Sequence, residues 1–166
     1  YHGDHTGGNE KLGQGGALIF SHDNVRERLK SGYFIEAFNM KQEGIAREGL
    51  PVVTFSEDIK FHLNGDIILA THVPHAHTDG DSFIYFQAAN VIHAGDLFFN
   101  GFYPSIDVTH GGSLKGVINA VDKVLSLADD STKIIAGHGP LGDKKQFNST
   151  PGFGRSLISR NRKLIE

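Results

Sequence analysis

The chain has 166 residues, 39% hydrophobic and 21% charged, with a formal net charge of -3, a make-up ordinary for one globular domain with a substantial core. No Lys/Arg run points to nucleic acid or an anionic membrane surface, and no apolar stretch approaches membrane-span length. Zero cysteines exclude disulfides and thiolate ligands, whereas ten histidines are many for this length.

In chain order, Tyr1-His2-Gly3-Asp4-His5 comes first. Two imidazoles and a carboxylate within four positions supply the nitrogen and oxygen donors that suit zinc, and Gly3 lets the backbone turn between them. Residues 6–10 read as the start of a helix. Residues 16–20 form a short apolar strand, and Ser21, His22 and Asp23 offer N-caps for a helix over 24–30. Residues 51–55, 59–63 and 67–73 read as a β-meander with turns at 56–58 and 64–66. Strands are predicted at 83–86 and 91–94. Ser113 caps a helix whose apolar residues Leu114, Val117, Ile118, Val121, Val124, Leu125 and Leu127 recur at helical spacing. Residues 133–136 are the last clear strand.

Three further clusters sit where strands give way to Gly-rich turns: His75-Ala76-His77-Thr78-Asp79-Gly80-Asp81, Gly95-Asp96 and Gly137-His138-Gly139-Pro140. Rims of this kind carry function on a rigid scaffold. The ordered set H-x-D-H, A-H-T-x-G-D, G-D-L-F-F and G-H-G-P resembles the metallo-β-lactamase superfamily of zinc hydrolases over roughly residues 1–141. One motif alone is a weak signal; four in order are specific.

The resemblance implies a ligand set. One metal takes His2 and His77, a second takes Asp4, His5 and His138, and Asp96 bridges them. Up to two zinc ions are implied, with iron or manganese as other candidates, and Asp4 and Asp96 are the carboxylates able to accept a proton. The implied chemistry is attack by metal-bound hydroxide on an ester, thioester, lactone or related bond of a small-molecule substrate. The β-lactam-hydrolysing subclass with a metal-binding Cys is excluded, and a redox-active di-iron branch carries Glu at the position of His2. Two other readings are an iron-dependent sulfur dioxygenase of the same fold and a truncated metal-binding fragment without activity.

The family's first histidine falls one residue before Tyr1. The expected fold class is therefore α/β (α+β), an αββα metallo-β-lactamase sandwich with most of its first half missing, spanning 1–146. A divergent tail, 147–166, is expected to carry a linker at 148–154 and a short basic amphipathic helix with Leu157, Ile158, Leu164 and Ile165. With one imidazole lacking, the chain is expected to be an impaired catalyst. An uncovered sheet edge near 16–20 and 51–73 is expected to drive homo-oligomerisation. Periplasmic and cytoplasmic settings are both left open.

Among the other polar residues, Asp81 is expected to orient a ligand histidine from behind, and His75, two residues from His77, is expected behind the ligands or at the rim rather than as a ligand. His93 is expected to be a packed, hydrogen-bonded core residue. His22, His62, His72 and His110 are expected at the surface or in loops. Residues 98–103 read as the wall of a substrate cleft, with ordinary core as the alternative.

Overall fold

A computed structural model describes residues 1–36 and 39–150. The chain divides into two compact units, Tyr1–Asp58 and Ile59–Glu166, where the sequence alone suggested one body over 1–146.

The first unit begins with two short helices, α1 (Gly3–Thr6) and α2 (Asn9–Gln14), then β1 (Phe20–His22) and α3 (Asp23–Ser31), followed by β2 (Tyr33–Ile35), β3 (Met40–Gln42) and β4 (Val53–Phe55). His22 caps α3, its ring nitrogen Nδ1 accepting from the Asn24 N–H at 3.2 Å. That role buries His22, which the sequence placed at the surface. Val25 and Leu29, four residues apart on one face of α3, pack with Leu50, Tyr1 and Ile45 as the unit's core. β1 is shorter and later than expected: Ala17, Leu18 and Ile19 precede it as coil. β4 does not open a meander but pairs in parallel with β1, Phe20 opposite Val53. β2 and β3 form an antiparallel pair that alternation did not signal.

The second unit carries a six-stranded sheet built from β5 (Asp58–Leu63), β6 (Asp66–His72), β7 (Ser82–Phe86), β8 (Val91–Phe99), β9 (Lys133–His138) and β10 (Gly142–Asp143), in the order β10-β9-β8-β7-β6-β5. β6, β7 and β8 run antiparallel, and β8 pairs in parallel with β9. The parallel connection is made by α4 (Leu114–Leu127), the crossover such a pair requires. Ser113 caps this helix, its hydroxyl accepting from the Gly116 N–H at 3.0 Å. Val117, Ala120, Val121 and Val124 of α4 join Phe83, Ile92, Leu97, Phe98 and Ile134 in one core. The last helix among the described residues, α5 (Lys144–Asn148), is held by a reciprocal capping box between Asp143 and Gln146. It delivers Phe147 to that core, fully buried and edge-on to Phe98 at 5.1 Å. Phe147 thus belongs to the body, although the sequence placed it at the start of the tail. The linker from Pro151 onward and the basic helix lie outside the described residues.

Candidate metal centre

β8 is longer than its apolar run suggested because it continues through Gly95 and Asp96 by means of a bulge. His93 pairs with Ile135 but Gly95 pairs with Ala136, so Ala94 is the extra residue. Gly95 takes φ +55°, a conformation glycine adopts without strain. The His93 ring accepts the Gly95 N–H at 3.2 Å. His93 is therefore hydrogen-bonded as expected, but half-buried rather than sealed in the core. Bulges re-aim side chains. After this one, Leu97, Phe98 and Phe99 are all buried and the simple in-and-out alternation is lost.

The Asp96 carboxylate, 8% exposed, meets two imidazoles. Its Oδ2 lies 3.2 Å from His77 Nε2 and its Oδ1 lies 3.5 Å from His138 Nε2. His138 ends β9, opposite Phe99 in register. One residue earlier, Gly137 leaves the room the carboxylate fills: a Cβ there would sit 2.2 Å from Asp96 Oδ1. The Phe99 ring stacks on the His138 ring at 5.0 Å and lies 6.0 Å from the His77 ring. Of the predicted cleft wall, Phe98 is core, Phe99 backs both imidazoles, and Phe102 and Tyr103 are exposed.

His77 lies in the loop between β6 and β7 and is 5% exposed. Its Nδ1–H donates to the Ser105 carbonyl at 2.7 Å. A carbonyl only accepts, so Nδ1 carries a proton and Nε2 is the nitrogen turned to Asp96. At 3.2 Å, this nitrogen and the buried carboxylate need a proton or a cation between them. The donor set, imidazole nitrogens around one carboxylate with no sulfur, fits a zinc or iron ion on those grounds. Nothing in the sequence marks Ser105, because the group it contributes is backbone.

The carboxylate expected behind His77 is engaged elsewhere. Asp81 accepts from the Thr78 N–H at 2.6 Å and the Thr78 hydroxyl at 2.8 Å, closing the turn that follows His77. His75 is exposed at φ +54°, with its ring nitrogen Nδ1 3.0 Å from the Gly111 carbonyl oxygen. His62 is exposed. His72 is half-buried, Nδ1 2.9 Å from the Asp81 carbonyl oxygen, and His110 lies in the loop before α4, nearly buried against Asp107.

In the first unit, His2 precedes α1 and its carbonyl accepts the N–H groups of His5 and Thr6 at 3.0 and 3.1 Å. Asp4 Oδ2 lies 3.2 Å from His5 Nε2, the Asp4 side chain about half exposed and that of His5 about a third. The segment is fastened through Tyr1, whose carbonyl takes the hydroxyls of Thr6 and Tyr33 at 3.2 Å each. The Tyr1 ring meets Tyr33 edge-on at 4.7 Å, and the Arg28 guanidinium sits 4.9 Å from its centre.

The chain is similar in fold to several solved structures. A metallo-beta-lactamase from Pontibacter korlensis superposes with a TM-score of 0.68 at 20% identity, over 95% of this chain and 66% of that one. The BLEG-1 B3 metallo-beta-lactamase gives 0.73 at 17% identity, over 90% of this chain and 70% of that one. TTHA1623, solved in a di-iron-bound form, gives 0.67 at 22% identity, over 90% of this chain and 72% of that one. The chain thus spans about two thirds of the length of these structures. No curated protein matches it. The family model for the metallo-beta-lactamase superfamily matches residues 1–138, and the chain belongs to that superfamily.

Proposed function

We propose that the chain is the metal-binding core of a zinc-dependent hydrolase acting on an ester, thioester, lactone or related bond of a small molecule. The observation that carries this reading is the Asp96 carboxylate, each of whose oxygens faces a different histidine, as a carboxylate shared between two cations requires. The proposed ligands are those of the four motifs: His2, Asp4, His5, His77, Asp96 and His138. Zinc, when bound, supplies a Lewis acid and brings the pKa of water toward neutrality.

The chain's own residues have separable tasks. Ser105 holds the His77 ring by Nδ1 and leaves Nε2 as the nitrogen turned to Asp96. Phe99 excludes water from one side of both imidazoles. Gly137 admits the carboxylate between β8 and β9. Asp4, more exposed than Asp96, is the carboxylate able to exchange protons with solvent. Self-association through the exposed Leu18, Val52 and Val53 of the first unit belongs to the same proposal, with light scattering as its check.

The test is metal analysis of the purified chain with His77→Ala and His138→Ala variants. Zinc content is expected to fall in both, and the slow hydrolysis of a thioester and lactone panel expected of this impaired chain to fall with it. Zinc content unchanged in both variants sinks the assignment. Iron has specific support in the di-iron-bound relative and in the sulfur-free donor set. One iron per chain in place of zinc, after expression with both metals supplied, would favour the iron-dependent sulfur dioxygenase.

A further inference from the structure

A second imidazole–carboxylate pair lies outside the proposed ligand set. Asp107 Oδ2 is 2.8 Å from His110 Nδ1, and the two side chains are 8% and 13% exposed. Asp107 Oδ1 also accepts the His110 N–H at 3.2 Å, so one carboxylate closes the 3-10 turn Val108–His110 from both sides. The backbone of this turn is tied to the His77 loop. The Asp107 N–H donates to the His77 carbonyl at 2.8 Å, the Asp79 N–H donates to the His110 carbonyl at 3.0 Å, and the Gly112 N–H returns to the Asp107 carbonyl at 2.9 Å. The fit is close enough that a Cβ on Gly112 would lie 2.2 Å from the His77 carbonyl oxygen. Two residues before Asp107, Ser105 accepts the His77 Nδ1–H.

A backbone carbonyl on a loop orients a ring only as well as the loop is fixed. Here the loop is fixed by a carboxylate that, being almost fully buried, needs its donors. We propose that Asp107 is a positioning residue: through the turn it closes, it holds the Ser105 carbonyl against His77 and sets which ring nitrogen faces Asp96. Hydrogen-bond partners behind a metal-bound histidine set its tautomer and typically change metal affinity 10- to 100-fold when lost. As an aid to metal binding the proposal rests on the reading above; as a clamp on the ring it does not.

The experiment is therefore done first without metal, by NMR of the histidine ring nitrogens in the wild-type chain, Asp107→Ala, Asp107→Asn and His110→Gln. His77 is expected as a single Nδ1–H tautomer with a slowly exchanging proton in the wild type. Asp107→Ala is expected to give a tautomer mixture and exchange at least about tenfold faster. Asp107→Asn keeps an acceptor for the His110 N–H and is expected to restore most of the signature. His110→Gln shifts it partway, and stands in if Asp107→Ala does not fold. A zinc competition titration then gives an affinity about 10- to 100-fold lower for Asp107→Ala. Merely structural damage would lower the melting temperature yet leave the tautomer unchanged well below it. An unchanged His77 signature in Asp107→Ala, or in both other variants where that protein is unfolded, overturns the proposal. A wild-type chain with the clamped tautomer but no zinc affinity would uphold the clamp and sink the metal reading.

Discussion

At the scale of single residues, the site depends as much on what is missing as on what is present. Gly137 is not one of the glycines at positive φ, so alanine suits its backbone and the obstacle is space. That space is occupied: the added methyl would meet Asp96 Oδ1 at 2.2 Å and the Gly95 carbonyl carbon at 2.7 Å. Gly137→Ala is expected to push the carboxylate off its two imidazoles. Zinc affinity should drop about 10- to 100-fold, and overpacking should cost about 1–3 kcal/mol of stability, read by competition titration and thermal denaturation. Unchanged affinity would mean that Asp96 does not need its present position. His77, Asp96 and His138 were legible in the sequence because their motifs are side-chain patterns. The Ser105 carbonyl and the His110 partner of Asp107 were not: the first is backbone, and the second is created by a turn whose residues, Val108-Thr109-His110, signal no ligand spacing. Asp81 misled for a related reason, since a carboxylate four residues after a histidine is as well placed to close its own turn.

At the scale of elements, the turn between α4 and β9 carries the clearest acid sensitivity. Asp129 accepts the Ser131 hydroxyl at 2.7 Å and N–H at 2.8 Å, and the Asn90 side-chain amide at 3.1 Å. The Ser131 hydroxyl, followed by Asn90, holds its carboxyl down to about 2 from the usual 3.8. A pKa lower in the folded than in the unfolded chain gives stability that is fully present above about pH 4. That stability is lost as pH falls toward 2. The wild type should therefore exceed Asp129→Asn in stability at neutral pH, and the gap should close between pH 4 and 2 in paired denaturation series. A gap independent of pH would refute this. The turn joins the β7–β8 hairpin, through Asn90, to the start of β9, so it helps fix the register that brings Asp96 and His138 side by side. The strands of that sheet were legible as apolar runs between turn residues. The reach of β8 beyond Ala94 was not, because a bulge breaks the period-2 pattern on which strand reading depends. The three-residue strands of the first unit were too short to show alternation, and β4 was drawn into a false meander because strand pairing cannot be read from pattern alone.

At the scale of the whole chain, the two units differ sharply in core. Among the described residues, the second has a cluster of fourteen buried residues, including Phe83, Phe98 and Phe147, whereas the first has a cluster of three, Val25, Leu29 and Leu50, with Tyr33, Ile35 and Phe55 buried outside it. Burial of apolar surface is the main favourable term in folding, and short bodies bury the smallest share of theirs. The first unit should thus open locally at a lower free energy than the second. Amide hydrogen exchange by mass spectrometry is expected to show α3 and β1 exchanging well before β8 and β9. Leu29→Ala removes the most buried side chain of the smaller core, 1% exposed, at a cost of about 2–5 kcal/mol. In that variant, peptides from Tyr1–Asp58 should exchange fast while those covering β8 and β9 keep their protection. Equal loss across all peptides would show that the chain unfolds as one cooperative body, and that its smaller core is stabilised by more than its own residues.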